Sequence, residues 1–240
     1  MNATPPSSAV ASSGPATSRT RRMVDAPTRV FHWLFALSFV GAYLSAEGER
    51  WRMLHVTLGY TLAGLLSFRV VYGLVGPRQA RLSLLWRKLT GLPRWLASAA
   101  SLQAVDARQT QNLAMALAVA GLLVLALPLT LSGYATYSDW ADGLGEVHEF
   151  LGNAFLALVL GHLAVMATLS LLRRKNVARN MLTGRVEGPG PDLAQRNHGL
   201  LAALLLVAVL AFWAWQWQQS PNGLVPGQDG SVIRTEHDAD

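Results

Sequence analysis

The chain has 240 residues, of which 51% are hydrophobic and only 14% are charged, against about 25% charged in ordinary soluble domains. This number of charged side chains is too small to cover the surface of a soluble fold. The composition therefore indicates an integral membrane protein. The absence of cysteine excludes disulfides and thiolate metal sites.

Five apolar segments are long enough, or nearly so, to cross a bilayer, which requires about 20 helical residues. They are residues 30–46, 53–75, 109–138, 150–172 and 199–217. The helix of the fourth segment is expected to begin earlier, near Leu144. Only Arg69 interrupts these segments with a charged side chain. The sequence therefore predicts an all-α integral membrane protein with five membrane-spanning helices.

The first segment could instead belong to a targeting peptide. Arg19, Arg21 and Arg22 precede it, and the start of the chain is rich in serine and alanine, as in signal and transit peptides. A cleaved segment has no need of His32 or of so many aromatic residues, so a membrane helix is favoured. Residues 1–24 are then expected to form a disordered cytoplasmic tail.

The basic residues predict the orientation. Four lie in the N-terminal arm, six in the connection 76–108 and six in 173–198, while the opposite side holds Arg50, Arg52 and Arg234. The positive-inside rule then places the N-terminus in the cytoplasm and the C-terminus outside. Residues 186–198 form a cytoplasmic linker and 218–240 a polar outer tail. The formal charge of +6 is thus explained by anionic lipid, with no nucleic acid required.

Four of the six histidines fall within the predicted spans: His32, His55, His148 and His162. Histidine inside a membrane is costly and indicates a functional site. His148 and His162 are 14 residues apart, about 21 Å along a helix and on nearly the same face. Two ligands of one metal ion would be three or four residues apart. The spacing instead favours two stacked cofactors such as haem b, which facing helices hold through axial imidazoles.

Depth in the membrane suggests how the histidines pair. His55 and His148 each lie about one turn inside the outer start of their predicted helices, so they are expected to pair. His32 is left with His162 in the cytoplasmic half, provided that the helix of His162 tilts or extends into the cytoplasm.

Gly59 and Gly152 follow the outer histidines by four residues, on the same helix face. A missing side chain there would let a flat porphyrin approach the backbone. Glycine is also simply common in membrane helices, so both interpretations stay open.

Two arginines lie near the inner pair. Arg69 follows His55 by 14 residues, and Arg29 precedes His32 by about one turn. Each could pair with haem propionates or could extend to the cytoplasmic surface, and the spacing does not decide between these roles.

Three runs of residues resemble the prokaryotic cytochrome b561 and nickel–iron-hydrogenase b-type cytochrome family. They are 25–33 (DAPTRVFHW), 68–81 (FRVVYGLVGPRQAR) and 173–184 (RRKNVARNMLTG), and the resemblance covers residues 25–185. It implies a four-helix bundle in a bacterial inner membrane, with two haems b ligated by the four histidines and with electron exchange with quinone. The fifth segment lies outside this domain, and the chain has Gln109-Thr110-Gln111-Asn112 where members often have Gly-His-Asn-Pro.

The leading hypothesis is therefore a membrane electron carrier. Iron with two histidine ligands has no open coordination position, which favours electron transfer. The partners would be quinone and a dehydrogenase, hydrogenase or c-type cytochrome on the outer side, within a respiratory complex. One alternative is an autonomous superoxide:quinone oxidoreductase. Another is a haem-free metal transporter or membrane scaffold.

Overall fold

The computed structural model describes residues 20–100, 107–188 and 190–220. These residues form eight α-helices and one two-stranded antiparallel sheet. The helices are α1 (Ala26–Leu44), α2 (Arg52–Val75), α3 (Leu82–Leu89), α4 (Leu92–Ala100), α5 (Ala107–Tyr137), α6 (Leu144–Arg173), α7 (Arg179–Thr183) and α8 (Gly199–Gln219). The strands are β1 (Thr20–Arg22) and β2 (Arg185–Glu187), and short 3-10 turns lie at Glu49–Trp51 and Arg78–Ala80.

Four helices of the described chain are long and apolar enough to cross a membrane: Arg52–Val75, Gln109–Tyr137, Leu144–Arg173 and Gly199–Gln219. Their bounds agree closely with four of the predicted segments, and α6 begins at Leu144 as expected. Helix α1 is shorter, with 19 residues, and it is not among the four. Five membrane spans therefore stay a prediction, whereas the mainly helical, membrane-type fold is confirmed.

The long helices pack in a chain of neighbours: α8 on α1, α1 on α2, α2 on α5, and α5 on α6. The central core draws on α1, α2, α5 and α6 and is made of Phe39, Ala42, Leu58, Leu62, Leu66, Ala126, Leu129 and Phe155. Helix α8 contributes no fully buried residue to this core, but its Trp213 packs against it and donates a hydrogen bond from Nε1 to Thr61 Oγ1 of α2 (2.9 Å). The C-terminal helix thus covers one side of the bundle.

Local sequence explains where α1 begins. Asp25 accepts a hydrogen bond from the backbone N–H of Thr28 (3.2 Å), as an N-cap residue does. Pro27 lies in the first turn, where its missing N–H leaves no hydrogen bond unmade. These residues set the start of the helix that carries His32.

The N-terminal arm and the linker differ from the sequence analysis. Residues 1–24 were expected to be disordered and 186–198 to be a simple linker, yet β1 pairs with β2, with Arg21 opposite Val186. The backbone N–H of Arg22 also donates to Asp192 Oδ1 (2.6 Å). These contacts join segments that are more than 160 residues apart in sequence, and the polar composition of β1 gave no sign of them. The remainder of the predicted N-terminal tail, residues 1–19, and most of the outer tail, residues 221–240, lie outside the described residues.

The connection between the second and third predicted spans contains two helices, α3 and α4, which the sequence analysis treated only as a basic loop. The indole Nε1 of Trp95 in α4 donates to Thr110 Oγ1 at the start of α5 (2.9 Å). Leu82 of α3 lies so close to Gly73 of α2 that a Cβ at that glycine would come within 2.5 Å of its side chain. The connection is therefore packed against the bundle.

Candidate haem-binding site

The clearest feature of the bundle interior is the meeting of His55 in α2 with His148 in α6. Their ring centroids are 5.9 Å apart and the ring planes are nearly perpendicular, at 87°. A bond between a metal and an imidazole nitrogen is about 2 Å long, so two rings on opposite sides of one ion have centres about 6 Å apart. The depth argument predicted this pairing, and the observed separation is the one expected of two histidines that would hold one metal ion.

Both rings of this pair are oriented by backbone carbonyl groups. His55 Nδ1 lies 2.8 Å from Ala42 O, and His148 Nδ1 lies 3.1 Å from Leu129 O. A carbonyl oxygen only accepts, so Nδ1 must carry the proton and donate, which leaves the lone pair on Nε2. Metal-bound histidines are held in this way, through a hydrogen bond from the nitrogen that does not bind the metal.

Gly133 of α5 is a further part of this site, and the sequence analysis did not find it. A Cβ built on Gly133 would lie 2.8 Å from His148 Cε1 and 3.2 Å from Nδ1. Only glycine therefore lets α5 approach the ring this closely. No sequence signal identifies this contact, because it depends on how α5 packs against α6.

Gly59 and Gly152 have a different environment. A Cβ on either glycine would meet no heavy atom within 4 Å, although both residues are half-buried. Gly64 and Gly161 also have open space around them, but these two are exposed on the helix surface. The space beside Gly59 and Gly152, one turn from the paired rings, is what a flat ligand between α2 and α6 would need.

His32 in α1 and His162 in α6 form the second predicted pair. The Nδ1 atoms of both rings are buried, and within the described residues they have no hydrogen-bond partner. Buried polar atoms of this kind are uncommon and call for an explanation. Helix α6 has 30 residues, about 45 Å, so it exceeds a bilayer core of roughly 30 Å. This length meets the condition on which His162 was expected to lie at the depth of His32, and the second pairing stays a prediction.

The two arginines near this second pair have backbone partners. Arg69 Nη1 donates to Ala80 O (3.0 Å), in the turn that follows α2. Arg29 Nη1 donates to Leu182 O (2.9 Å), at the end of α7. Both side chains thus tie loops to the bundle, and their pairing with haem propionates stays a prediction.

The described part of the chain contains no group of three or more histidine, aspartate and glutamate side chains placed to hold one metal ion. Of the four histidines of the spans, His55 and His148 meet directly, and the pairing of His32 with His162 stays a prediction.

Apolar helices that bring imidazoles together in this way define a membrane protein of the haem-binding helical-bundle class. The chain belongs to the prokaryotic cytochrome b561 family: the model of that family matches residues 23–184, more than half of the chain. This confirms the predicted resemblance over residues 25–185. Membership implies a membrane b-type cytochrome that binds b-type haem and transfers electrons. No curated protein and no solved structure matches the chain.

Proposed function

We propose that the protein carries electrons across the membrane through two haems b, one held by His55 and His148 and the other by His32 and His162. The observation that carries the proposal is the His55–His148 pair, with ring centres 5.9 Å apart and both Nδ1 atoms on backbone carbonyls. The open space at Gly59 and Gly152 supports it.

Haem supplies an iron that alternates between two oxidation states one electron apart. Two histidines would hold each iron, which would leave no site for oxygen or substrate and would favour electron transfer. The carbonyl groups of Ala42 and Leu129 fix the ring orientation and make the imidazoles more basic ligands. The residues of the chain thus determine where each iron is held and how readily it is reduced.

The proposal also requires α1 to cross the membrane, because α1 carries His32. Its 19 residues span about 28 Å, close to the thickness of a bilayer core. Leu37, Val40 and Leu44 are 64%, 49% and 77% exposed, so its outward face is apolar and suited to lipid. With α1 as a fifth span, the basic loops place the N-terminus in the cytoplasm and the C-terminus outside.

In this orientation the His55–His148 pair lies near the outer surface and the His32–His162 pair toward the cytoplasm. The electron partners would be a dehydrogenase, hydrogenase or c-type cytochrome at the outer surface and the quinone pool of a bacterial inner membrane. Purified protein is then expected to be reduced by a quinol analogue or to donate electrons to a quinone.

Visible spectra of the detergent-purified protein, oxidised and dithionite-reduced, test the proposal when haem is counted per polypeptide. Two low-spin haems b per chain are the expected result. A folded, monodisperse sample that takes up no haem would overturn the proposal and favour a metal transporter or scaffold instead.

A further inference from the structure

Phe155 occupies a special position between the two histidine pairs. It lies in α6, seven residues after His148 and seven before His162, and seven residues are almost two full helical turns. Its side chain therefore points in nearly the same direction as both imidazoles, about 10 Å along the axis from each. Phe155 is 2% exposed and is the largest of the fully buried side chains in the described part of the chain.

The contacts of Phe155 fill the bundle at that level. Its ring centroid lies 4.6 Å from that of Phe39 and 6.3 Å from that of Phe35, both in α1. The same cluster includes Leu62 of α2 and Ala126 of α5, so four helices meet around this ring. Phe155 is thus the centre of the packed layer that separates the two levels of histidines.

We infer that Phe155 is the positioning residue that sets the spacing and the electronic contact between the two haem sites. The inference rests on the proposed function. In the reaction, one electron leaves a ferrous iron at one histidine pair and reduces a ferric iron at the other, and no bond is made or broken. The rate of such a transfer falls steeply with distance and with gaps in the intervening atoms. A packed ring midway between the pairs keeps the separation fixed and the space filled.

The absence of cysteine allows a direct measurement of this transfer. Asp142→Cys, at an exposed position in the loop before α6, gives one labelling site for a photoactive ruthenium complex near the His55–His148 pair. A flash then delivers one electron to the haem at that pair, and its passage to the second haem is followed by absorbance. The single-haem variant His162→Ala supplies the reference spectrum of the first haem.

Phe155→Leu and Phe155→Met remove the ring but keep a large apolar side chain. Phe150→Leu is the matched control, because Phe150 belongs to the same helix but is 71% exposed. The two Phe155 variants are expected to retain two haems with unchanged spectra and to transfer the electron several-fold more slowly than the control.

Two results would overturn the inference while leaving the proposed function intact. One is transfer in both Phe155 variants at the rate of the control. The other is loss of one haem from both variants in folded protein, which would assign Phe155 to a single haem pocket rather than to the gap. Failure of the unmodified chain to bind two haems would instead contradict the proposed function itself.

Discussion

The hydroxyl group of Tyr72 donates a hydrogen bond to Asp25 Oδ2 at 2.5 Å. The other carboxylate oxygen of Asp25 accepts from the backbone N–H of Thr28, and Asp25 is only 1% exposed. One buried carboxylate therefore caps α1 and attaches it to the last turn of α2. Because His32 lies seven residues further along α1, this contact fixes the level at which His32 enters the bundle.

We expect Tyr72→Phe to lower the free energy of unfolding by about 1.5–3 kcal/mol, the usual contribution of a hydrogen bond to a charged group. Denaturation in detergent, followed by circular dichroism, measures the loss. Tyr134→Phe is the matched control, because Tyr134 is 45% exposed and its hydroxyl is not enclosed by the core. Equal stability of the two variants would show that the contact with Asp25 contributes little.

Much of the fold could be predicted from the sequence because long apolar runs leave few choices in a membrane. The approximate bounds of α2, α5, α6 and α8 followed from apolar runs of some 20 residues that only Arg69 interrupts with a charge. The β1–β2 pairing could not be predicted, since it joins two short polar segments far apart in sequence. Helices α3 and α4 were missed because a loop rich in basic residues was interpreted by charge alone.

The candidate site also has features that the sequence predicts and features that it does not. Residues of one helix can be related by periodicity, so the common face of His148 and His162 and the level of His55 were accessible from spacing. Contacts between helices depend on packing that the sequence does not encode locally. For this reason Gly133, which lies against His148, was missed, and the backbone partners of Arg29 and Arg69 were not foreseen.

The pairing of histidines predicts which haem each substitution removes. His148→Ala is expected to lose the haem shared with His55, and His162→Ala the haem shared with His32, so each variant keeps one haem per chain. Haem content and reduced-minus-oxidised spectra measure this outcome, with His237→Ala, near the end of the sequence, as the control. A folded variant of either kind that lost both haems, or neither, would show the pairing to be wrong.

Gly133→Ala tests the close approach of α5 to the His148 ring. The added methyl carbon would lie 2.8 Å from His148 Cε1, so the ring or the helix must shift, at a cost of about 1–3 kcal/mol for an overpacked interior. We expect lower stability and loss of the haem at the His55–His148 pair, with the second haem retained. Gly64→Ala, whose Cβ meets no atom within 4 Å, is expected to have no effect on either haem.

Gly152→Ala tests whether the glycine at this position is needed for haem binding or for the packing of the protein itself. The chain itself leaves open space at Gly152, and alanine is better than glycine in a helix interior by about 1 kcal/mol, so the haem-free fold should be at least as stable. If a porphyrin occupies the space, the methyl group will displace it, and haem content at the His55–His148 pair should fall.

Gly161→Ala is the matched control on the same helix, since Gly161 has the same open surroundings but is exposed. Full haem content in both variants would mean that Gly152 reflects only the abundance of glycine in membrane helices. A loss confined to Gly152→Ala, in protein that remains folded, would place the edge of the haem against this face of α6.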